Sequence, residues 1–102
     1  MKMNHKELIS GSRNVFRDLG KQNPDIQQLK AILAAEIIRT LDKESLSVRK
    51  AQARTGIIAA DFSRIRNADL SRFTVDRLMT IINRLGSRVE VTVKVKRPKI
   101  AA

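Results

Sequence analysis

Hydrophobic residues between positions 23 and 86 recur at three- and four-residue steps, the spacing of amphipathic helices. The longest such stretch starts at Asn23, an N-cap candidate, and Pro24, a residue well tolerated at the first helical position. The pattern predicts a long helix whose apolar face comprises Ile26, Leu29, Leu33, Ile37 and Leu41, with Ile32 and Ile38 widening it.

Three shorter helices are predicted after the polar break at DKES. Ser47 caps the helix VRKAQART, and Gly56 ends it because glycine adopts the left-handed conformation without a steric cost. The next helix spans roughly residues 58–66, and Thr74 caps the last one, which ends at Gly86. The apolar face of this last helix comprises Val75, Leu78, Met79, Ile82 and Leu85.

After Gly86 the hydrophobic pattern changes to a period of two. In SRVEVTVKVK polar residues alternate with four valines, and this alternation predicts a β-strand over residues 87–96 formed around Val89, Val91, Val93 and Val95. A lone strand leaves its backbone groups unpaired. Three solutions are open: pairing with the same strand of a second copy in a homodimer, pairing with the weak VFRDL segment, or remaining an edge.

The spacing around Gly56 indicates how the two short central helices cross. Apolar residues lie five positions before it at Ala51, and one, six and nine positions after it at Ile57, Phe62 and Ile65. Such spacing lets two short helices pack closely on a third, as in a helix-turn-helix; an ordinary helical hairpin is the alternative. The predicted fold is mainly α, a helix-turn-helix bundle of four to five helices with one C-terminal β-strand.

A chain of 102 residues has room for one core, so the predicted parts belong to a single domain. Residues 1–22 form an N-terminal arm whose short motif NVFRDLG carries a small apolar cluster of Val15, Phe16 and Leu19. Residues 23–86 form the helix-turn-helix domain, residues 87–96 the dimerisation strand, and residues 97–102 a basic tail.

The charge balance points to a polyanionic partner, since 21 Lys and Arg residues against 10 Asp and Glu give a net charge of +11. No apolar run approaches the length of a membrane helix, and MKMNHKELISGS lacks a signal-peptide centre, so we expect no membrane partner and a cytoplasmic, nucleoid-associated protein. Cysteine is absent, and the single histidine, His5, is expected to be solvated. We therefore expect no catalytic residues, no metal site and no cofactor, and predict that the protein is not an enzyme.

The second of the two central helices is the candidate for reading bases in the major groove of DNA. Arg64 lies opposite the apolar face of that helix, where it can contact guanine bidentately or clamp a phosphate. Arg49, Arg66 and Asn67 suit backbone phosphates, which set register without conveying sequence. The full candidate set for DNA contact is Arg49, Lys50, Ile58, Ala59, Ala60, Ser63, Arg64, Arg66 and Asn67.

The run from LSVRKAQARTG through DFSRIRNADLSRFTVDRLMTIINRLGSRVEV resembles the Xre (Cro/repressor-like) helix-turn-helix family. Within it, DFSRIRN, RFTVDRL and NRLGSRVEV resemble the small single-domain branch that includes antitoxins of HigB/HigA-type pairs, and NVFRDLG resembles a motif ahead of that branch's first helix. The resemblance covers roughly residues 45–95. It implies a dimeric DNA-binding autorepressor, and many such proteins also neutralise an mRNA-cleaving RelE-like toxin encoded beside them. Two-fold symmetry of the predicted dimer in turn predicts an inverted-repeat operator.

The sequence departs from that family's pattern in the helix that precedes the turn. Gln52 follows Ala51 where the helix crossing usually has a second small residue, and Ala53 can take that place if the packing shifts by one position. Val48 stands where a phosphate-binding glutamine is common. The register of this helix is therefore left open.

A further departure lies at the start of the reading helix, where Ile58, Ala59 and Ala60 replace the usual cap and base-reading residues. Direct hydrogen-bond readout from that turn is lost. The alanine methyl groups can pack on thymine methyl groups and let the helix lie deeper in the groove, or they can serve packing alone.

Three other functions compete with the antitoxin interpretation: a stand-alone DNA-binding regulator without a toxin, a small basic RelE-like ribonuclease toxin, and a non-specific architectural or RNA-binding protein. The toxin would have a sheet-centred α/β fold, whereas the pattern predicts four helices. Aromatic residues make up only 3% of the chain, which disfavours base stacking on single strands and favours double-stranded DNA.

Overall fold

A computed structural model describes residues 23–99 of the chain. Within that range the chain forms four helices: α1 (Pro24–Lys43), α2 (Val48–Thr55), α3 (Ala59–Arg66) and α4 (Val75–Arg84). These four helices confirm the mainly helical fold class. The predicted arm with its NVFRDLG motif, His5 and the last three residues of the basic tail lie outside the described range.

Three of the four helices begin at a side-chain cap that the sequence predicted. The Asn23 side chain accepts hydrogen bonds from the first-turn N–H groups of α1, at 3.0 and 3.3 Å. Ser47 Oγ accepts one from the Lys50 N–H at 3.1 Å, and Thr74 Oγ1 accepts one from the Arg77 N–H at 3.0 Å. Each cap satisfies backbone donors that have no partner within their own helix.

All four helices contribute to one hydrophobic core. The longest helix, α1, packs mainly against α4 and also against α3, while α2 packs against α3. The fully or almost fully buried apolar residues come from every helix, from the turns between them and from the C-cap of α4: Leu33, Ala34, Ile37, Leu41, Ala51, Ile57, Phe62, Ile65, Phe73, Leu78, Ile81, Ile82 and Leu85.

On two helices the buried face in the structure is rotated relative to the apolar face predicted from the sequence. On α1, Ile32 is 53% exposed and Leu29 37% exposed, whereas Ala34 is buried. On α4, Ile81 is fully buried and Met79 only half-buried. The centre of each buried arc is set by the neighbouring helix, and an apolar residue at the edge of the arc can lie outside it.

The predicted strand over residues 87–96 is not formed in the single described chain: residues 87–99 carry no regular secondary structure. A strand is defined by a ladder of hydrogen bonds to a second strand, and residues 23–99 of one chain provide none. Val89 packs against the core, whereas Val91, Val93 and Val95 are 62%, 75% and 67% exposed.

Candidate DNA-binding surface

The turn between α2 and α3 sets the angle between the two helices. Gly56 ends α2 with φ 80°, a left-handed conformation that a side chain would strain. Thr55 Oγ1–H donates to the Ala51 carbonyl at 2.7 Å, and the same oxygen accepts from the Ile57 N–H at 3.1 Å. Ile57 is almost fully buried. The turn is therefore held by a hydroxyl and by an apolar anchor together.

The register of α2 is settled by burial. Ala51 is fully buried, as the spacing from Gly56 predicted, and Ala53 is exposed. The shifted packing that would bring Ala53 into the crossing is therefore wrong. Gln52 has a different role: its side-chain Oε1 accepts a hydrogen bond from the Ala59 N–H at 2.7 Å.

This contact gives α3 the cap that its own sequence lacks. Ile58 is the N-cap residue of α3 and offers no side-chain acceptor, so the helix start would otherwise leave a donor unsatisfied. The acceptor instead comes from Gln52, one helix earlier. The only hint of this contact in the sequence was Ile58, a hydrophobic residue at a position where a capping side chain is usual.

The outer face of α3 lies opposite its two buried residues, Phe62 and Ile65. Ala60 and Asn67 are exposed, and Ser63 is half-buried. The candidate residues at the helix start are also accessible: Ile58 is 55% exposed and Ala59 is half-buried.

Arg64, the candidate base reader, is held by an ion pair. Its Nη1 donates to Asp61 Oδ1 at 2.8 Å, and Arg77 Nη2 on α4 donates to Asp61 Oδ2 at 3.5 Å. A surface depression next to this trio is lined by Ile58, Asp61, Arg64, Arg72, Phe73, Thr74 and Arg77. Asp61 and Arg77 are not among the DNA contacts predicted from the sequence, although the i,i+3 spacing of Asp61 and Arg64 is a recognisable signal for an ion pair.

The cationic candidates for phosphate contact differ in their partners. Arg66 donates to Asp42 Oδ1 at 2.9 Å and thereby links the end of α3 to the end of α1. Arg49 and Lys50, in the first turn of α2, are exposed and make no side-chain hydrogen bond or ion pair within residues 23–99. Both cations stand at a helix N-terminus, a position that itself favours phosphate.

Two further arginines near the turn are committed to the fold. Arg54 pairs with Glu44 and donates from Nη2 to the Leu85 carbonyl at 3.1 Å. Arg84 donates from Nη1 to the Thr55 carbonyl at 3.1 Å. Each arginine thus satisfies a carbonyl at the carboxyl end of the other's helix, which makes both poor candidates for DNA contact.

An apolar groove lies between α1, α4 and the segment after α4. It is lined in part by Leu29, Ile32, Ile82, Val89 and Val91. Of the four valines predicted to form the dimer, Val89 and Val91 thus line the groove, whereas Val93 and Val95 lie outside it and are exposed.

The residues of the structure include no group of three or more side chains arranged to hold a metal ion. None of the helices over residues 23–99 combines the length and apolarity needed to cross a membrane.

Comparison with known proteins places this arrangement in a family. A family model described as a helix-turn-helix domain matches residues 15–94. Searches among curated proteins and among solved structures found no match. The matched range covers the turn, both central helices and most of the segment after α4, and on this match the chain belongs to that helix-turn-helix domain family.

Proposed function

We propose that this protein is a sequence-specific regulator of transcription that binds double-stranded DNA through α3. The observation that carries the proposal is the outer face of α3 and its C-cap, where the exposed Ala60 and Asn67 and the half-buried Ser63 present small or polar side chains. A helix with such a face fits the major groove. Family membership supports the same conclusion.

The candidate contacts divide into two kinds. Arg49 and Lys50 have no side-chain partner in the part of the chain that the structure describes and suit backbone phosphates, and such contacts supply affinity without conveying sequence. Arg64 keeps unused donors beside its bond to Asp61 and can contact the edge of a guanine. The methyl group of Ala60 can contact a thymine methyl.

Selection from a pool of random double-stranded DNA tests this function. We expect enrichment of one motif, and binding to it at fixed salt that is at least about a thousandfold tighter than binding to random duplex of the same length. Single-stranded RNA of equal length serves as the comparison. No enriched motif, or preference for the RNA, would contradict the proposal.

We further propose that the protein acts as a homodimer through residues 87–96. Val91, Val93 and Val95 are exposed, and no residue of the described chain pairs with this backbone. Pairing with the same segment of a second copy would complete a two-stranded ladder and cover the valines. Two-fold symmetry would place the two α3 helices one DNA turn apart, so the motif should be an inverted repeat.

Replacing Val93 with proline would test the dimer, because proline removes a backbone donor and is not tolerated inside a sheet. Light scattering should show a dimer for the wild type and a monomer for Val93→Pro. Lys99→Pro, beyond the predicted strand, is the matched control and should stay dimeric. An unchanged mass for Val93→Pro would rule this interface out.

The narrower assignment is to the Xre family, as an autorepressing antitoxin of a HigB/RelE-like toxin. Its support is the resemblance of DFSRIRN, RFTVDRL and NRLGSRVEV to that branch. The test is the adjacent gene: a short reading frame for a RelE-like protein, whose product forms a stable complex with this chain and stops degrading mRNA, is the expected result. Its absence would leave a stand-alone regulator.

On this proposal the protein acts in the cytoplasm, where DNA is accessible, and it acts by binding alone. It needs neither a catalytic group nor a cofactor. The four-helix architecture of residues 23–99 favours it over a RelE-like ribonuclease, for which a sheet-centred fold is expected. A ribonuclease assay with the purified chain checks this directly, and mRNA cleavage would reverse the choice.

A further inference from the structure

Asp61 is an acidic residue within the surface that we propose binds DNA. It is the third residue of α3, and its two carboxylate oxygens accept from Arg64 at 2.8 Å and from Arg77 at 3.5 Å. Its side chain is 17% exposed, less than the other acids that form ion pairs in the described chain. Partial burial strengthens such contacts relative to ordinary surface pairs.

A carboxylate at this position opposes binding to any nucleic acid. The two arginines alone would carry a charge of +2, and Asp61 reduces the charge of the trio to +1. Non-specific binding depends on the number of phosphates that cations neutralise, so the acid weakens binding to random DNA. Affinity for phosphates therefore does not account for its presence.

The same carboxylate restrains the side chain proposed to read bases. Arg64 is held by one Nη atom and is 30% exposed, so its remaining donors keep a direction relative to α3. A free arginine would lose rotamer freedom on forming a bidentate contact with a base, whereas a restrained arginine has already lost part of it. The restraint therefore favours contact between Arg64 and a base at one defined position over contacts with phosphates at varied positions.

We propose that Asp61 is a selectivity-determining residue: by holding Arg64 and offsetting its charge, it weakens binding to random DNA more than binding to the preferred motif. This inference rests on the proposed function, because it presupposes that α3 reads DNA. Asp61 is a positioning residue here, since it acts through Arg64.

Two structural roles for Asp61 must be separated from this one. An acid in the first turn stabilises a helix through the helix dipole, and the contact with Arg77 links α3 to α4. Both roles affect the stability of the fold. Neither predicts a change in the ratio of affinities for motif and random DNA, which is therefore the informative measurement.

The experiment compares Asp61→Asn with Asp42→Asn. Both variants remove one negative charge and release one arginine of α3, Arg64 in the first case and Arg66 in the second; Asp61→Asn also releases Arg77 of α4. Asp61→Asn should tighten binding to random DNA, steepen its salt dependence by up to about 0.9 in the log–log slope, and reduce the motif-to-random ratio by roughly tenfold. Asp42→Asn should tighten both binding reactions and leave the ratio within about twofold.

A double-mutant cycle tests the route through Arg64. In an Arg64→Ala background, Asp61→Asn should no longer change the ratio. Asp61→Glu keeps the charge but moves the carboxylate, so it should lower the motif-to-random ratio without changing the salt slope. This variant also tests the inference if Asp61→Asn fails to fold. Thermal unfolding confirms that each variant compared is folded.

The outcomes separate this inference from the function on which it rests. Wild-type protein without sequence preference would overturn both. Wild-type protein with a preference, whose ratio responds to Asp61→Asn no more than to Asp42→Asn, would overturn the inference alone. A drop in the ratio that persists in the Arg64→Ala background would also overturn it, because the effect would not pass through Arg64.

Discussion

Gln52 on α2 caps α3: its side-chain oxygen accepts a hydrogen bond from the backbone N–H of Ala59 at 2.7 Å. Through this hydrogen bond, a side chain of α2 satisfies a backbone donor at the start of α3. Gln52→Ala should lower the free energy of unfolding by about 1 kcal/mol, the usual effect of losing a helix cap. Urea denaturation measures it, with Gln28→Ala, an exposed glutamine on α1, as the control that should change stability little. Equal stabilities of the two variants would show that the cap contributes nothing.

Arg84 and Arg54 satisfy carbonyls at each other's helix ends, at 3.1 Å in both cases. Arg84→Gln should destabilise the fold by about 1 to 2 kcal/mol, because a charged donor to a helix-end carbonyl is lost. Arg39→Gln breaks only an exposed pair with Glu36 and should cost less than about 0.5 kcal/mol. Thermal unfolding of the two variants provides the comparison, and a larger effect at Arg39 would contradict the role given to Arg84.

Arg49 is exposed and has no side-chain partner within residues 23–99, whereas Arg64 forms an ion pair with Asp61. Arg49→Ala should weaken binding to the motif and to random DNA alike and reduce the salt slope by about 0.9, as expected for one lost phosphate contact. Arg64→Ala should weaken motif binding more than random binding. Titrations at one salt concentration, repeated over a salt series, measure both effects. If Arg64→Ala weakens the two binding reactions equally, Arg64 is a phosphate clamp.

Lys30 lies on the buried face of α1, only 8% exposed, and burial lowers the pKa of its ammonium from the ordinary value of 10.5. The folded state thus bears a desolvation cost while the ammonium is charged, and the cost disappears as pH rises through the lowered pKa toward 10.5. Lys30→Met should therefore be more stable than wild type at neutral pH, with an advantage that shrinks as pH rises. Urea denaturation at pH 7 and pH 10 tests this, and Lys94→Met, an exposed lysine, should show no such trend.

The local elements of this protein could be predicted from the sequence because their signals are local. Asn23, Ser47 and Thr74 cap helices at the predicted positions, and Gly56 ends α2 where predicted, because a cap or a left-handed residue acts on its own turn of backbone. The spacing around Gly56 likewise placed Ala51, Phe62 and Ile65 in the core, since these positions repeat at helical intervals.

Contacts between elements were decided only by the tertiary structure. Gln52, which looked like a defect in the family pattern, caps a different helix. Arg54, one of the cations behind the net charge of +11, is committed to the fold through partners that lie 10 and 31 positions away in the sequence. The rotation of α1 that leaves Ile32 exposed depends on where α4 packs, which the hydrophobic pattern of α1 alone does not specify.

The segment after α4 shows the same division most clearly. Alternating valines indicate a strand because the preference for extended backbone is a property of the residues themselves. Whether that strand forms depends on a partner for its backbone hydrogen bonds, and residues 23–99 of a single chain provide none. The sequence determines the strand propensity of residues 87–96, because that propensity belongs to the residues themselves. Whether the strand forms depends on the tertiary or quaternary structure, which must supply a second strand for its backbone hydrogen bonds.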